Sequence, residues 1–315
     1  RISVTDGCNL RCIYCRAIDD PCDLVKSFAL SAEDIAKVAE AGVRCGIKQV
    51  RLTGGEPLIR PDIVEIIERL AAIPGMEEIS LTTNGILLNR LALPLARAGL
   101  KRVNISLDTL DKAKFFRITR GGSFDMVWEG IAAAEEAGLT PIKINAVVVK
   151  GLNDDELVSL ASLSLKKPWH IRFIELMPVG NMESWGDGFP LAPDRFISKQ
   201  EMLSHLSELN LEPDVTKAGN GPARMYRIPG GIGMIGFISP IGEHFCASCN
   251  RLRLTSDGFL RPCLLLDREI DIKESLKNGE DLVPMILKAV SLKPKGHEIS
   301  SQHYPKTRHM AEIGG

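Results

Sequence analysis

The sequence predicts an α/β fold: an incomplete (βα)6 TIM-like barrel followed by a smaller α+β module. Three observations carry this expectation. Short β-branched runs alternate with helical patterns six times. Each run reads as apolar on both faces, as strands buried in a parallel sheet do. The pattern then breaks near residue 212, where short strands and Gly-rich turns take over. A doubly wound sheet would also satisfy the first two observations.

The expected strands are 2–5 (ISVT), 49–53 (QVRLT), 78–83 (EISLTT), 102–108 (RVNISLD), 143–149 (KINAVVV) and 170–176 (HIRFIEL). The first helix follows Ser31, with Asp34 three residues on as its capping partner. A second starts at Pro61, a favoured first-turn residue. Others run near 90–98, 124–137 and 153–163. A helix over 196–209 leads out of the barrel, which we set at 1–212, into a second module at 213–315. The best-marked element of that module is the hairpin "RLRLTSDGFLRPC". A two-residue turn at Asp257-Gly258 sets Ser256 opposite Phe259 and Leu252 opposite Cys263. The polar, basic tail ends in "IGG" and on composition alone reads as a frayed terminus.

The 315 residues carry a formal charge of −1, so nothing global points to nucleic acid or a membrane surface. The longest apolar runs are strand-length and span no bilayer. No signal peptide is expected within these residues. The chain opens inside a strand, which leaves room for an upstream segment and a targeting sequence within it.

The eight cysteines make a poor disulfide set. Cys8, Cys12 and Cys15 cluster near one end and Cys246, Cys249 and Cys263 near the other, while Cys22 and Cys45 stand apart. Clustered thiols without a secretory signal read as metal ligands. A structural zinc needs four ligands, and His is absent from the first 169 residues, so Cys22 would have to complete it. A [4Fe–4S] cluster held by three thiols keeps one iron open for a substrate or cofactor. Cys45 ends a helix and packs as a small apolar residue. Arg251 and Arg253 alternate on one face of the hairpin beside the second set, which suits a phosphate ligand as well as a solvated strand face. "DGC", "GGEP", "TTNG", "SLDTL" and "ELMPVG" all sit at strand C-terminal ends, the end of such a barrel that carries chemistry. There is no Walker loop.

CxxxCxxC after a first strand, an aromatic before its third Cys, and "GGEP" after the next strand resemble the radical S-adenosylmethionine (SAM) superfamily. Within it, "LTGGEPLIR", "TTNG", "NISLDTL", "KINAVVVKGLND", "RFIELMPVG", "FCASCNRLRLTSDGFLRPCL" and the terminal Gly-Gly resemble the GTP 3′,8-cyclases that begin molybdenum cofactor biosynthesis. The likeness covers essentially the whole chain.

The resemblance implies two [4Fe–4S] clusters and SAM as cofactors. Cys8, Cys12 and Cys15 would hold the cluster that binds SAM, with Tyr14 against the adenine and Gly55, Ser106 and Met177 completing the SAM site. Cys246, Cys249 and Cys263 would hold a second cluster facing the guanine of GTP. Arg1, Arg51, Thr82, Lys143, Arg172, Arg251 and Arg253 would surround GTP and its triphosphate. Arg253, Gly314 and Gly315 would act at the reacting centre, the tail reaching into the site. The implied reaction is hydrogen abstraction at ribose C3′ by a 5′-deoxyadenosyl radical, then attack on guanine C8. Its product is (8S)-3′,8-cyclo-7,8-dihydroguanosine 5′-triphosphate. Implied partners are a reducing electron donor and a downstream cyclic pyranopterin monophosphate synthase, with no nucleic acid and no membrane. A cytoplasmic monomer or homodimer is expected, in the mitochondrial matrix if the source is eukaryotic.

The family pattern usually has Arg where Gly7 stands, Met-Pro where Arg16-Ala17 stands, and Lys where Gln49 stands. Two other readings are a peptide-maturing radical SAM enzyme and a non-catalytic metal sensor. The first typically carries more cysteines in its C-terminal module. The second leaves "GGEP", "NISLD" and "RFIELMP" without a purpose.

Overall fold

The structure is a computed structural model. It describes residues 1–16, 30–179, 185–191, 194–214, 221–243, 245–296, 299, 308 and 310–314. Cys22, Ala17 and Gly315 lie outside the described residues.

Twelve strands form one sheet among the described residues. They are β1 (Ile2–Ser3), β2 (Gln49–Thr53), β3 (Glu78–Thr83), β4 (Arg102–Ser106), β5 (Lys143–Val148), β6 (His170–Glu175), β7 (Glu212–Pro213), β8 (Arg224–Arg227), β9 (Met234–Ile238), β10 (Arg253–Leu254), β11 (Phe259–Arg261) and β12 (Ile270–Asp271). Their order is β12-β11-β10-β1-β2-β3-β4-β5-β6-β9-β8-β7. Strands β1 to β6 are parallel and adjacent in chain order. A doubly wound sheet would reverse order at a switch point, so this winding is that of a barrel. The sheet ends at β12 and β7 without closing, and it is therefore a partial barrel. The second module supplies both flanks: β10 is parallel to β1, and β9 is parallel to β6.

The strands are not apolar on both faces. Leu52, Leu81, Ile105, Ile144 and Ile171 are fully buried, in one core with the helices, which include α1 (Ala32–Arg44), α2 (Ile63–Ala71), α3 (Leu88–Arg97) and α5 (Phe124–Glu136). The alternate positions turn the other way, and there the register aligns Thr82 with Asn104 and Lys143, and Ser106 with Asn145 and Arg172. Buried but polar, this inner face is a site rather than a core.

The first helix, α1, has the expected box: Ser31 accepts from Asp34 N, and the Asp34 carboxylate accepts from Ser31 N. The second helix starts at Ile63, two residues later than expected. Arg60 grips the Asp62 carboxylate at 2.7 and 2.9 Å, and Asp62 becomes its N-cap. Arg60 is buried and also donates to Val4 O (2.7 Å) and Leu30 O (2.9 Å). Arg60→Ala leaves a carboxylate and two carbonyls without that donor. A loss of about 3 kcal/mol is expected, read as a lower urea midpoint at unchanged slope.

Two further expectations are corrected, and one helix is new. The helix over 196–209 is α7 (Lys199–His205), capped by Ser198 and Glu201. A 3-10 turn at 207–209 follows, and Asn210 ends it in the left-handed region at φ 46°. The hairpin register is one residue out from a two-residue turn, pairing Arg253 with Arg261 and Leu254 with Leu260. Gly258, at φ 88°, makes a three-residue loop in which the Thr255 hydroxyl accepts from Phe259 N at 2.9 Å. Helix α4 (Lys112–Thr119), capped by Asp111, carried no clear sequence signal. The other helices are α6 (Leu157–Lys166), α8 (Lys273–Asn278), α9 (Val283–Ser291) and α10 (Met310–Ile313). No helix of the described residues is long and apolar enough to cross a membrane.

Candidate active site

The first cysteine loop is held from two sides. On one side the segment after β2 pairs with it: Gly55 N donates to Thr5 O and Glu56 N to Gly7 O, both at 2.8 Å. On the other, Arg11 N and Ile13 N donate to Thr119 O and Ile118 O at the end of α4. Cys12 O closes the loop by accepting from Cys15 N (2.9 Å) and Arg16 N (3.1 Å). The three thiols are free. Burial pushes Cys8 up to about 11 and Cys15 up to about 12. Burial and the two neighbouring thiols raise Cys12 as well. Three crowded, desolvated thiols ionise together only against a strong positive charge.

Glu56 braces this loop indirectly. Its Oε1 accepts from Leu58 N (3.0 Å) and the Thr83 hydroxyl (2.7 Å), and its Oε2 from Asn84 N (2.6 Å). Asn84 then donates to Asn9 in the cysteine loop at 2.7 Å. Burial lifts Glu56 from 4.5 to about 7, against the pull of its three donors. The folded chain therefore holds this proton more tightly than the unfolded chain. The resulting stability is full below 4.5 and is lost as pH rises through about 7. Glu56→Gln should flatten that part of the stability–pH curve, by on the order of 3 kcal/mol, in urea unfolding at a series of pH values.

Tyr14 is held between Cys12 and Cys15 by Asp108, whose Oδ2 accepts its hydroxyl at 2.5 Å while Oδ1 accepts Val147 N at 2.9 Å. Burial raises Asp108 to about 6. Asn153, from the "GLND" stretch, donates to Asp108 O (2.7 Å) and Val147 O (2.9 Å), locking the loops after β4 and β5 together. Tyr14 meets Trp185 edge-on at 6.4 Å.

The second set follows a loop held by Glu175 at the end of β6. That carboxylate accepts from Ile241 N (3.1 Å) and Gly242 N (2.9 Å), just before Cys246. Burial opposes ionisation of Cys249, but the Arg251 backbone N–H, the Arg251 charge and Lys293 together hold it below the usual thiol range. Arg253 Nη1 donates to Ile313 O at 3.1 Å and to Gly314 O. Gly314 has φ 68°, and a Cβ there would stand 2.3 Å from Thr53 Cγ2. No side chain fits between the tail and the end of β2.

Both cysteine sets open on one cavity of about 300 Å³. Tyr14, Gly55, Ser106 and Met177 line it, as do Arg1, Arg51, Thr82, Arg172, Arg251 and Arg253. Lys143 is buried on β5 and is not among the lining residues; Gly314 lies behind Arg253. Sequence reasoning missed Glu56, Asp108, Asn145, Glu175 and Lys293. The first four stood in plain view inside "GGEP", "SLDTL", "KINAVVV" and "RFIELMPVG".

The cations form a layer at the barrel's inner face. Burial first, then neighbouring arginines, lower Arg51 to about 10 and Arg172 and Arg253 to about 9. The same causes lower Lys143 to about 7, and Arg1 too is lowered. The Nε atoms of Arg172 and Arg251 are buried without a hydrogen-bond partner. Such a layer is completed by a polyanion. A second opening of about 400 Å³ meets Arg1, Arg51, Arg251 and Arg253 from another side, and Gln49 is on its wall. Arg16 turns its guanidinium back to Asp6 O at 2.6 Å, beside Gly7, so two departures from the family pattern meet in space.

Residues 2–163 match the family model "Radical SAM superfamily", and residues 169–299 match "Molybdenum Cofactor Synthesis C". The GTP 3′,8-cyclase of Moorella thermoacetica is 49% identical over 319 residues, covering 100% of this chain and 96% of that protein. The GTP 3′,8-cyclase of Pelotomaculum thermopropionicum is 45% identical over 320 residues, with the same coverage. The chain belongs to the GTP 3′,8-cyclase family. Among solved structures, Streptococcus suis SuiB shares the fold, with a TM-score of 0.64 at 16% identity over 90% of this chain and 64% of that one.

As a radical SAM protein of the cyclase family, the chain takes SAM and [4Fe–4S] clusters as cofactors. Its residues fit them. Two sets of free thiols stand on the wall of one cavity, and a set that ionises only beside positive charge suits iron. Among the described residues no three His, Cys, Asp or Glu side chains converge on a single ion.

Proposed function

We propose that the chain cyclises GTP to (8S)-3′,8-cyclo-7,8-dihydroguanosine 5′-triphosphate, the first step of molybdenum cofactor biosynthesis. The observation that carries this reading is the shared cavity: both three-thiol sets line it, and so do Arg1, Arg51, Arg172, Arg251 and Arg253. When bound, SAM and the clusters supply the electron and the 5′-deoxyadenosyl radical that takes hydrogen from ribose C3′, so that C3′ joins guanine C8.

The chain's own residues do the placing. Cys8, Cys12 and Cys15 hold the cluster that binds SAM. Asp108 fixes Tyr14 for the adenine, and Gly55, Ser106 and Met177 shape the rest of the SAM site. Cys246, Cys249 and Cys263 hold the second cluster at the guanine end. Arg1, Arg51, Thr82, Arg172, Arg251 and Arg253 take the nucleotide and its phosphates, and Lys143 adds charge from behind the wall. Arg253, Gly314 and Gly315 act at the reacting end. We place the SAM-binding barrel at 1–212 and the GTP-binding module at 213–315. A reducing electron donor and a cyclic pyranopterin monophosphate synthase are the expected partners of a cytoplasmic monomer or homodimer.

The test is one anaerobic reaction of reconstituted, reduced protein with SAM and GTP, followed by mass spectrometry. Deoxyadenosine and an isomer of GTP should appear together. Deoxyadenosine formed over untouched GTP would leave the SAM site standing and remove GTP as substrate.

A further inference from the structure

We propose that Lys293 is a positioning residue of the second cysteine set. Its ammonium ties together the chain segments that carry Cys249 and Cys263, and it holds a positive charge against a ligand sulfur, making the cluster easier to reduce. The proposal rests on the reading that Cys246, Cys249 and Cys263 hold a cluster.

Lys293 Nζ lies 2.7 Å from Arg251 O, 3.1 Å from Pro262 O and 3.7 Å from Cys249 Sγ. An ammonium has three donors, and each here has an acceptor. Arg251 follows Cys249 by two residues, and Pro262 directly precedes Cys263. One ion therefore spans both arms of the hairpin and the CxxC loop. The carbonyl contacts are charge-assisted, the stronger kind. The lysine is delivered from outside the hairpin, just past α9, which packs on β11 and α1. Its position is set by a helix and not by the loop that it clamps. The side chain also lines the shared cavity. No other lysine lines that cavity among the described residues, and the sequence motifs gave this one no role.

A cation beside a ligand sulfur favours the more negative, reduced state of a cluster. Removing it should make reduction about tenfold less favourable, a shift of about 59 mV to more negative potential for one electron. Arg in its place keeps the charge, though its planar fork matches three converging acceptors less well.

The experiment uses the full chain with Cys8, Cys12 and Cys15 each changed to Ala, so that only the second cluster contributes. Its midpoint potential is measured by anaerobic titration with EPR detection. The retention of iron against a chelator is measured beside it. Lys293→Met should lower the potential by about the stated amount and release iron faster, while Lys293→Arg should keep the potential. Equal potentials in Lys293→Met and the parent would overturn the proposal, as would Lys293→Arg shifting as far as Lys293→Met. If Lys293→Met holds no cluster, the Lys293→Arg comparison decides: cluster and potential retained support the proposal, and cluster lost overturns it. A parent that itself binds no iron would defeat the underlying reading of the second set, and the proposal with it.

Discussion

Gly55→Ala should empty the first cysteine set of iron and lower SAM cleavage by more than about a hundredfold, roughly 3 kcal/mol. The new Cβ would stand 2.1 Å from Gly7 O, 2.6 Å from Gly7 C and 2.7 Å from Asp6 O. All three are backbone atoms, so no rotamer change relieves the contact. Gly7 directly precedes Cys8, and its carbonyl accepts Glu56 N at 2.8 Å. Pushing the two segments apart breaks that bond and displaces the first thiol of the set. The atoms nearest the new Cβ belong to the first loop, so the iron of the second set should remain. Iron analysis and the rate of deoxyadenosine formation check both halves of the expectation. Full iron and normal cleavage in Gly55→Ala would mean that the two loops can separate without cost to the cluster.

Arg253→Ala should cut kcat/KM for GTP by a similar factor while leaving the capacity to cleave SAM. Arg253 is buried, and burial with Arg251 beside it lowers it to about 9, so its charge lacks a strong counter-ion until an anion arrives. Truncating one partner of a buried charge pair costs about 2–5 kcal/mol. The same guanidinium holds Ile313 O and Gly314 O, so the variant also releases the tail from Thr53. Arg253→Lys separates the two effects: it keeps the charge but loses the fork that spans both the tail and a phosphate. Kinetics for GTP and SAM measured separately in both variants give the result. Normal GTP turnover in Arg253→Ala would remove this strand face from the phosphate site.

The sequence exposes features whose signals are local. The first six strands and the capping box of α1 lie close to where they are expected, because β-branched runs and a Ser-x-x-Asp pair need no distant partner. The two groups of three thiols stand out by spacing alone, and the structure brings both to one cavity. Non-local pairings were not: nothing in Met234–Ile238 says that it lies parallel to β6, and nothing in Arg253–Leu254 says that it lies parallel to β1. The Asp257-Gly258 signal misled by one residue because the Thr255 hydroxyl takes the amide that a tighter turn would use. Glu56 and Asp108 were passed over because each binds a hydroxyl and backbone amides from other segments, and the sequence does not show that these meet. Lys293 reaches Cys249 across 44 positions, a contact that only the docked helix α9 creates.

The sheet order also constrains how the chain can be made. Strand β1 pairs with β10, joining Ile2 to Leu254, and β6 pairs with β9. A nascent chain that has reached only residue 212 holds six parallel strands with both outer edges bare. Such edges recruit other chains. Pairing residue 2 with residue 254 also gives the fold a high contact order, so closure is slow and falls late in synthesis. The barrel half expressed by itself should therefore collect in the insoluble fraction, whereas the full chain, once its later strands cap both edges, should not.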